Sequence, residues 1–427
     1  MSLQIYSEYK TNRLEYILNV IFSQILSVEY SLITHLNALN TEQPTLNYSS
    51  QFIENAIQIK PHTLLFETEI QQQDIRVENN YYFFRTNNTG IQFDIFASSF
   101  YMISRYEEYF PSKLDSHLRF CAENSLAYKS HFLEKAVVNR WALELKTQLL
   151  KQFPNLTIKT SSYQFLSTID IDNAFAFKAK NPIRLIGGFI KALIRADFED
   201  IKARISYLIF NKKDPFDVYD YISSLHQKNQ IKTVFFFLVG KNTRYDKNIK
   251  ISNTHYQNLI QKIAQESLIG IHPSYYSNAN INILQSEINS LQSLVNKNIT
   301  ISRQHFLKLT LPDSYKKLLQ LNIKEDYTMG FASQVGFRAG ICTPFLWFDL
   351  EENKSTDLKI IPFQVMDGTL NQYLKLKPKE ALNLIESIKK EVKSVNGLFV
   401  TLWHNESLSE IREWKGWRTV YEQMISL

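Results

Sequence analysis

The chain has 427 residues, 44% of them apolar and 21% charged, so it can bury a sizeable core and is neither disordered, collagen-like nor a small disulfide scaffold. Basic residues outnumber acidic ones by 48 to 42, and a net charge of +6 is too mild to demand nucleic acid, though it permits contact with acidic lipid or substrate. Two distant cysteines, Cys121 and Cys342, form no CxxC pair and suit a reducing compartment.

The opening residues put no basic cluster ahead of an apolar run, Glu15 and Asn19 interrupt that run, and no small-residue cleavage site follows. They read as folded chain and not as a signal peptide. No run of about 18 uncharged apolar residues occurs, so no spanning helix is expected and the bacterial cytoplasm is the expected location. Apolar spacing predicts a helix over 13–36, and alternation predicts strands over 62–69 and 80–96. Helices are expected at 95–110 and at 132–153, the second stopping before Pro154. Together these make a smaller α+β domain, residues 1–157, with no catalytic constellation in its sequence.

From about residue 160 the pattern changes. Strand-like runs at 163–172, 232–240, 267–272, 298–305, 324–331, 359–367 and 397–404 alternate with helices at 217–228, 254–266, 281–296, 312–321 and 378–395. Such repetition argues for an α/β domain with a parallel sheet over 158–427. About seven strands fit an incomplete (β/α) barrel, whose functional residues sit at the C-terminal strand ends. The ionisable residues there are Asp170, Asp172, His272, Arg303, His305, Asp326, Asp367 and His404.

Residues two apart on a strand share a face, so Asp170 and Asp172 project into one site. Two close carboxylates hold a cation or raise one pKa; the bland reading is a helix cap. His272 stands before Pro273 and offers a metal ligand, or a single loop hydrogen bond. Arg303 and His305 repeat the spacing of two, and Arg303 could tether Asp170 or Asp326. His404 ends the run GLFVTLWH beside Trp403 and suits a general acid. Arg338, between glycines in GFRAG, could reach an anionic group or form a structural ion pair. Asp367 could orient His404 or make an Asp-Gly turn.

Taken in order, these motifs resemble those of the polysaccharide deacetylase family, the chitooligosaccharide-deacetylase type of metal-dependent carbohydrate esterase, over residues 160–427. The resemblance implies a deformed (β/α) barrel and a divalent metal, usually zinc. TIDIDNA (168–174) looks like the family's Asp-x-Asp motif, which makes Asp170 the base and Asp172 a metal ligand. HPSYYSN gives His272 at the first position of a His-x-x-x-His motif, with Tyr276 at the second. His305, one strand over, is the expected replacement, so the expected metal site is Asp172, His272 and His305. By the same resemblance Arg303 in SRQHF orients the base, Asp326 in KEDYTMG holds that arginine, and His404 in LWH protonates the leaving group. Arg338, Tyr276 and Trp403 are the expected substrate contacts.

The implied function is removal of an N-acetyl or other acyl group from an amino sugar of a glycan or glycan precursor. The missing second histidine also admits a catalytically silent carbohydrate-binding barrel. A phosphoester or formyl-group hydrolase, with Arg338 meeting the anion, is a third reading. Residues 183–213 carry Arg184, Lys191, Arg195, Lys202, Arg204, Lys212 and Lys213 among Leu, Ile and Phe. They read as one or two basic amphipathic helices that pack on the N-terminal domain or lie on an anionic membrane. No nucleic-acid partner is expected, and the sequence is silent on oligomeric state.

Overall fold

The computed structural model describes residues 2–78, 81–86, 91–159, 161–180 and 182–426, with the backbone alone at 182–184. Four short strands, β1 (Leu3–Tyr6), β2 (Tyr30–Ile33), β3 (Thr45–Asn47) and β4 (Ile57–Gln58), form a parallel sheet in the order β2-β1-β3-β4. None is long enough for alternation to announce it in the sequence. Thr11 starts α1 (Asn12–Leu18), its hydroxyl accepting from the Leu14 N–H. The helix expected over 13–36 continues only as a π-helical turn, Asn19–Ile25, before the chain enters β2.

The strand expected at 62–69 is instead the 3-10 turn Thr63–Phe66, started by His62, whose ring nitrogen accepts from the Leu64 N–H. That expected at 80–96 falls partly outside the described residues; within them it leaves one antiparallel bridge, Arg85 to Phe93. Asp94 then caps α2 (Ile95–Ile103), accepting from the Phe96 and Ala97 N–H groups. Arg105, in the left-handed region at φ 54°, breaks the expected 95–110 helix into α2 and the turn Tyr106–Tyr109. The short α3 (Leu126–Lys129) and the long α4 (Val137–Gln152) follow.

The second sheet begins with β5 (Gln164–Ile171). After it come the paired helices α5 (Pro182–Ile194) and α6 (Phe198–Leu208), then α7 (Tyr219–Asn229), β6 (Lys232–Phe237), α8 (Thr254–Glu266), β7 (Leu268–Ile271), α9 (Ile281–Val295) and β8 (Ile301–Ser302). The chain continues through α10 (Asp313–Gln320), β9 (Glu325–Asp326), β10 (Phe345–Asp349), β11 (Lys354–Ile360) and β12 (Val365–Met366), and ends with α11 (Pro378–Ser394), β13 (Leu398–His404) and α12 (Trp417–Ser426). The result is a mixed α/β structure with a mainly parallel sheet.

Nine strands, not seven, make this sheet, in the order β10-β11-β9-β8-β7-β6-β5-β13-β12. β10 is antiparallel to β11 and was not expected. The expected 359–367 strand divides into the end of β11 and β12, with Pro362, which has no N–H for a ladder, between them. Among the described residues no pairing joins β10 to β12, so the sheet is open and no closed barrel is present.

Strand alternation sends side chains to two cores. Val234, Phe236, Val400 and Leu402 meet Tyr327, Ile361 and Phe363 in a small cluster on one face of the sheet. Phe235, Phe237, Phe399 and Trp403 belong to a much larger cluster on the other face, which also takes in the buried residues of α1, α2 and α4. The N-terminal segment is sealed on by polar contacts too. Tyr16 donates its hydroxyl to Leu346 O at 2.7 Å, and Asn139 donates to Thr343 Oγ1 at 2.8 Å and accepts from the Cys342 N–H at 3.0 Å.

Candidate metal centre and cleft

The register of the parallel strands aligns their C-terminal ends. His404 pairs with Asp170 across β13 and β5, and Ile171, Phe237, Ile271, Ser302 and Asp326 pair in turn across β5 to β9. Asp172, His272 and Arg303 each stand one residue past such a row, where a side chain leaves the ladder; Asp172 and His272 face the cleft, and Arg303 is buried behind Asp170. The cleft has a volume of about 240 Å³, and Asp170, Asp172, His272, His305 and His404 are in its lining. A larger hollow of about 810 Å³ opens at the opposite ends of the strands, near Lys232 and Leu268, away from these groups.

Asp172 lies 3.1 Å from His272 Nε2 and 3.3 Å from His305 Nε2. One ligand atom from each of the three falls within 4.8 Å of the others. The far side of each ring decides its tautomer. His272 Nδ1 is 2.6 Å from the Arg303 carbonyl, and His305 Nδ1 is 2.9 Å from Asp246 Oδ1. Both partners only accept, so both Nδ1 atoms carry hydrogen, and in the neutral rings both Nε2 lone pairs point at the Asp172 carboxylate. Asp172 Oδ1 is itself buried without a hydrogen-bond partner. Three acceptors that face one another need a positive charge between them. One carboxylate and two imidazoles are a donor set that fits a divalent cation.

Without a cation, protons take that role. Burial opposes charge on His305, but Asp172 and Asp246 raise it to about 9. Burial also pushes Asp172 up, and the two histidines outweigh this and hold it well below the usual carboxylate range.

Asp170 sits beside this group, 3.7 Å from His272 Nε2, and accepts from Arg303 Nη1 at 2.9 Å. The arginine also donates to Thr168 Oγ1 at 2.7 Å and to the Tyr327 carbonyl at 3.0 Å, with its guanidinium 4.6 Å from the Phe236 ring centre. On the other side, His404 Nε2 is 3.7 Å from Asp172. Its Nδ1 donates to Asp367 Oδ1 at 2.8 Å, and its backbone N–H donates to Asp367 Oδ2 at 2.7 Å. Burial lowers the His404 pKa, but Asp367 first, then Asp172 and Asp170, bring it up to about 10, so this ring is an imidazolium at neutral pH.

Three expected roles need correcting, those of Asp326, Arg338 and Trp403. Asp326 makes no hydrogen bond to Arg303: its oxygens accept from the Thr328 N–H and hydroxyl, each at 2.9 Å, the neighbouring Tyr327 carbonyl binds the arginine, and Asp326 acts on it through charge alone. Arg338 is buried and committed to Glu108, with Nε–Oε1 2.9 Å and Nη2–Oε2 2.5 Å, so it offers nothing to a substrate anion. Trp403 is fully buried against Tyr421 and Trp417, because alternation turns it to the face opposite His404. Tyr276 is 46% exposed and meets Tyr245 and Tyr275 outside the cleft lining.

Other residues in or behind the cleft wall carried no sequence signal. Asp246 lies in a polar loop without a motif, yet it is fully buried and also accepts from the Tyr275 N–H and Thr243 hydroxyl. Arg119 comes from the N-terminal part. It crosses to the cleft wall, donating to the Phe306 carbonyl at 2.6 Å and the Tyr373 hydroxyl at 3.1 Å while paired with Asp115. Glu406 lines the cleft two residues after His404; burial, with Asp172 nearby, raises it to about 7.

Residues 3–154 match a family of unknown function, DUF7033. A search of curated protein sequences finds no match. Among solved structures, the chain is similar to a candidate polysaccharide deacetylase from Mycobacterium smegmatis, at 12% identity and a TM-score of 0.40, over 62% of this chain and 84% of that one. It is similar to a CE4 family pseudoenzyme from Bacillus anthracis at 10% identity and a TM-score of 0.31, over 61% of this chain and 62% of that one. It is likewise similar to a polysaccharide deacetylase from Bacillus cereus at 10% identity and a TM-score of 0.30, over 62% and 87%.

Proposed function

We propose that the chain is a metal-dependent hydrolase that removes an N-acetyl or other acyl group from an amino sugar of a glycan or glycan precursor, acting in the cytoplasm. One observation carries this reading: Asp172, His272 and His305 converge on a point with no donor between them, flanked by a carboxylate fixed by arginine and an imidazolium fixed by carboxylate. In this proposal Asp172, His272 and His305 hold a zinc ion, and His305 takes the place left by Tyr276. A zinc ion supplies Lewis-acid polarisation of the scissile carbonyl.

The protein's own groups divide the proton work. Asp170, aimed by its bond from Arg303, accepts a proton from the attacking water. His404, protonated through its bond to Asp367, donates to the departing nitrogen. Asp367 and Asp246 position the two histidines they bind. Residues 1–157 form the N-terminal domain of this proposal, packed on the sheet through a shared core, and Arg119 is their contribution to the cleft wall.

Metal analysis of the purified chain, with acetate release from a panel of N-acetylated amino sugars, tests the reading. One equivalent of zinc and released acetate are expected. Asp172→Ala should lose both, whereas His404→Ala should keep the metal and lose about 10²–10⁴-fold in rate. Absence of both metal and acetate release from the wild-type chain overturns the hydrolase and leaves a silent carbohydrate-binding module.

A further inference from the structure

We propose that α5 and α6 form a hairpin that docks the molecule on an anionic lipid bilayer. Among the described residues, eight of the eighteen exposed large apolar side chains lie within residues 186–210. Ile186, Ile190, Leu193 and Ile194 recur at helical spacing along α5, all at least half exposed. Phe198, at the start of α6, is 77% exposed, and Leu208 at its end and the two residues after it, Ile209 and Phe210, extend the apolar surface. A contiguous exposed apolar patch of this kind marks an interaction surface.

The hairpin is a built element and not a frayed strand of chain. Arg204 on α6 donates to Asp200 at 2.9 Å and to the Leu185 carbonyl of α5 at 3.2 Å, and its guanidinium lies against Gly188. Arg412 pairs with Asp200 at 2.5 Å, and Lys415 pairs with Glu199 at 3.5 Å. These contacts commit the hairpin's acids to the protein. Lys191, Arg195, Lys202 and Lys212 are exposed, and among the described residues they have no carboxylate within ion-pair distance.

Charge selects the occupant. Protein interfaces are depleted in lysine at their core. Here Lys191 and Arg195 follow Ile190 and Ile194 directly, about 100° round the helix, so each basic side chain borders the apolar row. At a bilayer surface that arrangement is favourable: apolar tips enter the acyl boundary while the basic side chains extend to lipid phosphates. With 13 and 11 residues the two helices are too short to span, and no helix among the described residues is long and apolar enough to cross a membrane. The hairpin therefore lies on the surface. Arg412 and Lys415 tie it to the segment whose Glu413 and Trp414 line the cleft, so docking sets the cleft mouth beside the lipid.

Flotation of the full chain with two vesicle preparations tests this: phosphatidylcholine alone, and phosphatidylcholine with phosphatidylglycerol in equal parts. The chain should float with the second and not the first, and high salt should release it. The double variant I190E/I194E should lose flotation, and K191E/R195E should lose it with the apolar row intact; all four positions are exposed, and unchanged thermal unfolding verifies the fold. No binding to either vesicle overturns the proposal. So does binding that both variants retain, or a face that instead holds two copies of the chain together and ignores lipid.

Discussion

Each histidine of the cleft is defined by what binds its far nitrogen. A carbonyl behind His272 and the Asp246 carboxylate behind His305 turn both free nitrogens towards Asp172, while Asp367 behind His404 makes that ring a cation. Asp246 thus matters to the proposed metal site without touching it. Asp246→Asn should weaken zinc by roughly 10–100-fold, read by competition with a chromophoric chelator; unchanged affinity removes Asp246 from the site. Asp170, Asp172 and Arg303 were legible because the ends of apolar strands rarely carry charge without a purpose. Asp246 was not, since its place depends on a loop folding under His305.

At the scale of elements, two-residue alternation decides which neighbours on β13 reach the cleft. His404 faces it, and Trp403, one residue earlier, is buried beneath α12. Trp403→Ala should cost about 3–5 kcal/mol in a urea titration, whereas Trp403→Phe should leave turnover unchanged; a turnover defect in the phenylalanine variant restores a substrate role. The packing of α7, β6 and α12 carries a second consequence. His226 is enclosed between the Tyr421 hydroxyl at 2.5 Å and the Thr233 hydroxyl at 2.6 Å, which suit a neutral ring, and burial lowers its pKa to about 4. The unfolded ring titrates near 6.5. Between those values the unfolded chain binds a proton and the folded chain does not. Stability is therefore full above the higher value and falls, by up to about 3 kcal/mol, as pH drops through the window. Urea titrations across it should show this slope, and His226→Gln should flatten it.

Across the whole molecule, the N-terminal residues and the large sheet share one apolar core and a buried charge cluster. Glu108 accepts from Arg105 at 2.7 Å and from Arg338 at 2.5 Å; burial would raise it, but the two arginines hold it below the usual carboxylate range. Removing one member of a buried pair strands the other, so Glu108→Ala should destabilise the chain by about 3–5 kcal/mol in denaturant. An effect confined to turnover would instead point to a cleft role for Arg338. The sequence by itself determined the α/β class, the alternation of strands and helices after residue 160, and which strand ends bear Asp, His and Arg, because those features follow from local periodicity and from charge set against apolar runs. Only the tertiary structure decided that the sheet stays open, that Glu108 consumes Arg338, that the Tyr327 carbonyl and not Asp326 hydrogen-bonds Arg303, that Arg119 reaches the cleft, and that Asp246 backs His305. Those outcomes depend on contacts between distant segments, and no local period encodes them.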